Sequence, residues 1–129
     1  MKTWLALFIG LFIGLSATSA AAPQSINNII LWQKDQAKVN AKLLLTKKNY
    51  ACLNKLLSKE SAWRSSAKNP KSSAKGIGQL LDSTYQSIGM KHVHKADAQL
   101  IAVLAYISRH YGSGGPCAAW RHFQKNNWY

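Results

Sequence analysis

Acidic residues and cysteines are scarce in this sequence. Four Asp and Glu stand against 17 Lys and Arg, so the formal net charge is +13 over 129 residues. The two cysteines cannot form a structural zinc site by themselves. The chain is too short for a Rossmann, kinase or barrel enzyme. No internal repeat is present and no segment alternates between apolar and polar residues as a strand would. We therefore expect one small helical domain.

The start of the chain is typical of a secretory signal, which we place at residues 1–21. Lys2 supplies positive charge, an apolar run extends from Trp4 to Leu15, and Ala and Ser crowd the expected cleavage site after Ala20 or Ala21. A membrane-spanning helix needs ~20 apolar residues, so this run is too short to indicate an anchor. We expect export to the periplasm or the extracellular space, in association with the cell wall.

The excess of positive charge predicts an anionic partner. Nucleic acid, anionic lipid and the acidic polymers of a cell wall all attract such a surface. Export argues against nucleic acid, which leaves an anionic wall or membrane surface. The alternative interpretation is that the charge only keeps a secreted protein soluble.

Apolar spacing predicts an all-α fold, or nearly so, and export predicts one disulfide between Cys52 and Cys117. Residues 22–48 form an N-terminal extension, in which one helix is predicted from Gln24 to Lys48. This helix either packs on the domain or binds a partner such as a secretion apparatus. The domain itself covers residues 49–129. Its predicted helices run from near Asn49 past Glu60, from Ala96 to Tyr111 and from Cys117 to Lys125, with a short apolar turn from Gln79 to Tyr85.

Glu60 is the only glutamate, and it occupies a position where a core residue is expected. It completes an i, i+3, i+4, i+7 apolar stripe that begins at Leu53. Burial disfavours the charged carboxylate, and the negative end of the helix dipole does the same, so both raise the pKa of Glu60 towards neutrality. A general acid needs such a pKa at working pH. The alternative is a Glu frayed at the helix end, or paired with Lys59 or Arg64.

Three short motifs follow one another from Glu60 to Thr84: Glu60-Ser61, an Asn69-Pro70 turn, and a run from Ser73 through Gly76-Ile77-Gly78-Gln79-Leu80-Leu81 to Thr84. Together they resemble the catalytic segment of bacterial lytic transglycosylases with the lysozyme-like SLT domain. That family has Glu-Ser at the end of a helix, an Asn-Pro turn, and then Gly-Leu-Met-Gln-Leu-Met-Pro-x-Thr. The ending from Tyr111 to Tyr129, and a Cys eight residues before the glutamate, resemble small secreted members of the superfamily.

The resemblance implies a lysozyme-like domain that cleaves the MurNAc–GlcNAc β-1,4 bond of peptidoglycan without a cofactor or a metal. Glu60 is implied to protonate the glycosidic oxygen and then, as a carboxylate, to deprotonate the muramoyl C6 hydroxyl, whose attack closes a 1,6-anhydro ring. Ser73 is implied to lie near the cleft within hydrogen-bonding reach of Glu60. The remaining implied substrate-binding residues are Gly76, Ile77 and Gln79 in the cleft wall and Tyr85, Tyr106 and Trp120 as platforms for sugars.

Departures from the family pattern qualify these expectations. Gly78 stands where a bulky residue is usual and Asp82 where Pro is usual, which predicts a looser or differently charged groove. Trp120 stands at the position of a Tyr, so it lacks the hydroxyl that a Tyr would offer. For the aromatic residues the alternative to sugar stacking is packing in the core.

The scarcity of carboxylates independently favours a one-acid mechanism. Ordinary glycosidases use two carboxylates that flank the scissile bond, and only Asp82 lies near the Glu60 motif. One alternative is therefore a hydrolytic muramidase with Asp82 as its second carboxylate. Others are a non-catalytic cationic wall-binding protein, or a membrane-active protein that acts through its N-terminal helix. His92 and His94 lack a third metal ligand at suitable spacing, which favours a solvated loop there.

Overall fold

The computed structural model describes residues 26–129, so the predicted signal segment lies outside the described residues. Within this range the chain forms five α-helices and no strand, which confirms the all-α prediction. The helices are α1 (Ile26–Leu44), α2 (Lys47–Glu60), α3 (Asp82–Ser87), α4 (Ala96–Tyr111) and α5 (Gly115–Asn126), with a 3₁₀ turn at Gly112–Gly114.

Helix boundaries follow local capping signals. The prediction for α4 matches the structure at both ends. The first helix ends at Leu44, earlier than predicted, because Thr46 caps a new helix: its Oγ1 accepts a hydrogen bond from the Asn49 N–H at 3.2 Å. The last helix begins two residues earlier than predicted, at Gly115, with Pro116 in its first turn.

The core lies where α2, α4 and α5 meet. The predicted α2 stripe is buried, with Leu53, Leu56 and Leu57 each 0 % exposed. Helix α2 packs on α5, and the Cys52–Cys117 disulfide, confirmed in the structure, joins them. Closing a loop of 65 residues stabilises the fold by roughly 4 kcal/mol on the chain-entropy model.

Helix α1 packs on the domain, the first of the two arrangements that the sequence left open. Ala37 and Ala41 are fully buried, and α1 lies against α4 and α2. Much of its outer surface remains apolar and exposed, with large side chains at Leu31, Trp32, Val39, Leu43 and Leu44. None of the helices within residues 26–129 has the length and apolarity needed to cross a membrane.

Candidate active site

Glu60 is the last residue of α2 and lies at the wall of a cleft. Burial of the carboxyl raises its pKa from 4.5 to about 7. The side chain is partly buried, so a ligand in the cleft can reach it. At neutral pH roughly half of the molecules therefore hold this proton, as a general acid requires.

The cleft has a volume of about 560 Å³ and brings together residues from distant parts of the chain. Of the predicted site residues, it brings Glu60, Gln79 and Tyr106 together. The other lining residues are Asn69, Ala74, Gly78, Leu80, Leu81, Thr84, Asn127, Trp128 and Tyr129.

Two hydrogen bonds to the backbone of Ile77 fix the cleft wall beside Glu60. The Ser61 hydroxyl, buried next to Glu60 in the chain, donates a hydrogen bond to the Ile77 carbonyl at 2.7 Å. The Ile77 N–H donates to Gln99 Oε1 on α4 at 2.9 Å. Both backbone polar groups of Ile77 are thereby held, the carbonyl by the C-cap residue of α2 and the N–H by α4. Sequence reasoning missed both Ser61 and Gln99 as site-forming residues.

Ile77 and Gly76 support the cleft but do not line it, which corrects their predicted placement. Ile77 is 0 % exposed and belongs to the core. Gly76 has φ +78°, and a Cβ there would lie 2.6 Å from Gln99 Oε1. The glycine is therefore required by backbone conformation and by space, because any side chain would displace the amide that holds Ile77.

Gln79 lies at the cleft but uses its amide nitrogen for the loop. Its Nε2 donates to the Gly76 carbonyl at 2.9 Å and to the Ala67 carbonyl at 3.3 Å. The side chain thus ties Ala67 to Gly76 within the irregular segment between α2 and α3. Gln79 thus lies in the cleft wall, and its side chain also holds the loop in place.

Ser73 does not reach the cleft, which corrects the expectation that it bonds to Glu60. Its hydroxyl accepts a hydrogen bond from the N–H of Asp82, the first residue of α3, at 3.2 Å. Ser61 is the serine next to Glu60 in the chain, and its hydroxyl donates to the Ile77 carbonyl.

Among the three predicted aromatic platforms, only Tyr106 lines the cleft. Tyr85 is 2 % exposed and packs in the core, edge-on to His92. Trp120 lies on α5 with its ring stacked on Phe123 at 5.8 Å. Core packing, the alternative reading of these rings, is therefore correct for Tyr85 and Trp120.

The last residues of the chain supply the aromatic surface that sequence reasoning missed. Trp128 lines the cleft and is 59 % exposed. Tyr129 also lines the cleft and is buried, and burial together with the charge of Glu60 raises the pKa of its phenol. The Tyr106 hydroxyl donates to the Tyr129 main-chain oxygen at 3.0 Å, which fixes this segment on α4. The signal available in the sequence was the pair of adjacent aromatic residues after α5.

Tyr129 also explains Gly78. The Tyr129 hydroxyl donates to the Gly78 carbonyl at 2.8 Å. A Cβ on Gly78 would lie 2.3 Å from Val103 Cγ2 and 2.6 Å from the Tyr129 hydroxyl. The space that a side chain would take is filled by these two residues, so this position requires glycine.

Asp82, the other carboxylate near the motif, is not in the cleft lining. Its Oδ1 lies 2.9 Å from Lys75 Nζ, and this is the one ion pair within the described residues. Glu60 is the one carboxylate that lines the cleft among residues 26–129.

Left-handed backbone is concentrated at this cleft. Ala62 and Trp63, directly after Glu60-Ser61, have φ of 53° and 63°, and Gln79 and Asn127 have φ of 49° and 62°. Ala, Trp and Gln in this conformation cost about 1–2 kcal/mol each, whereas Asn127 is the C-cap of α5, where Asn adopts this conformation routinely. Such strain is typical of functional sites, where the surrounding structure holds residues in unfavourable backbone conformations.

Replacement of Ala62 by glycine tests this strain. Ala62→Gly is expected to raise the free energy of unfolding by about 0.5–1 kcal/mol, because glycine adopts positive φ without a steric penalty. The exposed Ala51 of α2 gives the control: Ala51→Gly should lower it by about 1 kcal/mol. Urea unfolding measures both. A loss of stability in Ala62→Gly would contradict the strained turn.

Comparison with known proteins adds no support to the resemblance to the SLT family, which depends on the sequence motifs alone. No protein-family model, no curated protein and no solved structure matches this chain. No group of three or more His, Cys, Asp or Glu side chains within residues 26–129 is placed to hold a metal ion.

Proposed function

We propose that this protein is an exported peptidoglycan lytic transglycosylase in which Glu60 acts first as acid and then as base. The observation that carries the proposal is a single carboxyl, with a pKa of about 7, at the wall of a 560 Å³ cleft lined by aromatic and amide side chains. The motifs between Glu60 and Thr84 supply the substrate class through their resemblance to the SLT family.

The proposed reaction needs no second protein carboxylate. Glu60 gives its proton to the glycosidic oxygen as the bond from the muramoyl C1 breaks, and the GlcNAc end leaves as an alcohol. The Glu60 carboxylate then accepts the proton of the muramoyl C6 hydroxyl, whose oxygen bonds to C1 and closes the 1,6-anhydro ring. Glu60 ends protonated, and no water is consumed.

The position of Asp82 favours this route over hydrolysis. A hydrolase of the usual type places two carboxyl groups on either side of the bond. Asp82 is held by Lys75 and is not in the cleft lining, so it offers no partner to Glu60. The substrate's own C6 hydroxyl takes the place of that partner.

The remaining cleft residues suit a glycan. The exposed Trp128 and the Tyr106 ring offer flat apolar surfaces to sugar faces, while Asn69, Thr84 and Asn127 carry groups that hydrogen-bond hydroxyls and N-acetyl groups. The large excess of Lys and Arg over Asp and Glu, 17 against 4 in the full chain, would hold the enzyme on an anionic wall. The exposed apolar face of α1 is the surface that a membrane or a secretion-apparatus partner would contact.

Analysis of digest products by mass spectrometry tests the function. We expect purified peptidoglycan incubated with the protein to release 1,6-anhydromuropeptides, and Glu60→Gln to release none. Muropeptides with reducing ends would indicate a hydrolytic muramidase instead. Unchanged sacculi with protein bound would indicate a wall-binding protein without turnover.

A further inference from the structure

A second cavity lies on the far side of the loop that forms the cleft wall. It has a volume of about 310 Å³ and is lined by cationic, imidazole and hydroxyl groups. We call it the basic pocket; its polar side chains are Lys68, Lys75, His92, His94, Ser65 and Ser66. No acidic residue lines it.

The basic pocket is held in shape by the amide of a buried side chain. Gln99, 0 % exposed, donates through Nε2 to the Ser65 carbonyl at 3.1 Å and to the Val93 carbonyl at 2.8 Å. These carbonyls belong to the two segments whose side chains form opposite walls. The groups that line the pocket are therefore brought together by the fold, before any ligand binds.

His92 has unused hydrogen-bonding capacity at this pocket. Its Nε2 is buried and has no hydrogen-bond partner, a state that costs free energy in a folded protein. The His94 ring packs edge-on against it, with centroids 5.2 Å apart. Burial first, and then the charges of Lys75 and His94, lower the pKa of His92, while the charge of Asp82 acts in the opposite direction. Lys75 is already paired with Asp82 at 2.9 Å, so Lys68, the two imidazoles and the serine hydroxyls are the groups that the pocket offers to an anion.

A metal cation does not fit this chemistry. Two histidines are present, but the lysines beside them repel a cation, and no carboxylate completes a ligand set. Lysine ammonium, imidazole and hydroxyl groups are instead the donors that bind carboxylate and phosphate oxygens.

A small third cavity, with a volume of about 170 Å³, borders the same loop. It shares Asn69 and Ala74 with the Glu60 cleft and Lys68 and Lys75 with the basic pocket. The loop from Lys68 to Lys75 therefore borders both the cleft and the basic pocket, which makes the two sites neighbours on the protein surface.

We propose that the basic pocket is a second binding site, which takes an oxyanion, carboxylate or phosphate, displayed by the polymer that occupies the Glu60 cleft. The identity of that polymer as peptidoglycan rests on the proposed function, whereas the oxyanion chemistry does not. The carboxylate source is a stem peptide on the glycan, and the phosphate source is a phosphodiester polymer attached to it. The site adds affinity and selects strands that carry the anionic group.

Two lysines of the same loop give a matched test. Lys68 lines the basic pocket, whereas Lys71 is exposed and lines neither cavity. Each is changed to Gln in a Glu60→Gln background, so that turnover does not consume the wall. Binding to purified sacculi is measured by pelleting. Lys68→Gln should weaken binding by about fivefold and Lys71→Gln by less than about twofold, while Lys68→Arg should retain most of the affinity.

The source of the oxyanion is identified by stripping the sacculi. If removal of phosphate polymers abolishes the difference between the Lys68 and Lys71 variants, the ligand is a phosphodiester. If removal of stem peptides by an amidase abolishes it, the ligand is a carboxylate. Equal losses in both variants on intact walls, or a difference that persists on walls stripped of both groups, would overturn the proposal. A digest without anhydro products would remove the proposed activity and leave this comparison readable.

Discussion

Glu60→Gln is expected to lower the rate of glycan cleavage by about 10³-fold or more, since one group performs both proton transfers. Gln has nearly the size of Glu and can neither give nor accept the proton at this position. Release of soluble muropeptides, measured as an initial rate, gives the result. A variant with a tenth of the wild-type rate would show that Glu60 is not the acid.

The same substitution is expected to stabilise the protein at neutral and alkaline pH. The pKa of Glu60 rises from 4.5 to about 7 on folding. Between these values the carboxyl ionises more readily in the unfolded chain than in the folded protein, and this difference lowers the free energy of unfolding. The destabilisation is absent below pH 4.5, grows up to about pH 7 and is constant above it. Because the side chain is partly exposed, we expect the gain in Glu60→Gln at pH 8 to be on the order of 1–2 kcal/mol.

Thermal and urea unfolding at pH 4 and pH 8 separate this gain from an unrelated packing effect. The difference in stability between wild type and Glu60→Gln should be present at pH 8 and nearly absent at pH 4. In the wild type, kcat/KM should fall above about pH 7, as the proton of Glu60 is lost. A gain in stability of equal size at both pH values would contradict the buried acid.

Asp82→Asn is the matched control, because it makes the same acid-to-amide change on the nearest other carboxylate. Asp82 pairs with Lys75 and is not in the cleft lining. The variant should therefore retain activity within a few-fold of the wild type. A loss comparable with that of Glu60→Gln would instead support a hydrolase with two carboxylates.

Periodic features of the fold were predictable because they depend on neighbours in the sequence. The spacing of Leu53, Leu56 and Leu57 placed α2 and put Glu60 on its buried side, and the structure agrees. The pattern of α4 and the pairing of the two cysteines were predictable for similar reasons. Helix starts were less accurate, since a single cap such as Thr46 decides them.

The irregular part of the site was not predictable, because contacts distant in sequence determine it. Nothing in the sequence around Ser73 shows that its hydroxyl accepts from Asp82, or that the Ser61 hydroxyl donates to the Ile77 carbonyl. The return of Trp128 and Tyr129 to the cleft depends on packing against α4 and on the space at Gly78. The sequence motifs pointed to the segment that follows Glu60, and only the fold shows which of its side chains line the cleft.

Gln99→Leu is expected to lower the free energy of unfolding by about 4 kcal/mol. Leucine has a similar volume but no hydrogen-bonding groups, so the Ile77 N–H and the carbonyls of Ser65 and Val93 lose their partners inside the protein. Each such buried group costs roughly 1–3 kcal/mol. Urea denaturation measures the loss, and Gln124→Leu, at an exposed position on α5, should change stability by less than about 0.5 kcal/mol.

The effect of Gln99→Leu on function separates a positioning role from a purely structural one. Gln99 touches no substrate in the proposed mechanism, but it holds the Ile77 peptide whose carbonyl accepts from Ser61, beside Glu60. At a temperature where the variant remains folded, we therefore expect kcat to fall. The pH at which kcat/KM declines should also shift, because more water would reach the Glu60 carboxyl. Loss of stability with an unchanged kcat and pH profile in the folded variant would show that Gln99 serves the core alone. The coupling follows from topology: a single buried amide on α4 fixes both the cleft wall at Ile77 and the walls of the basic pocket.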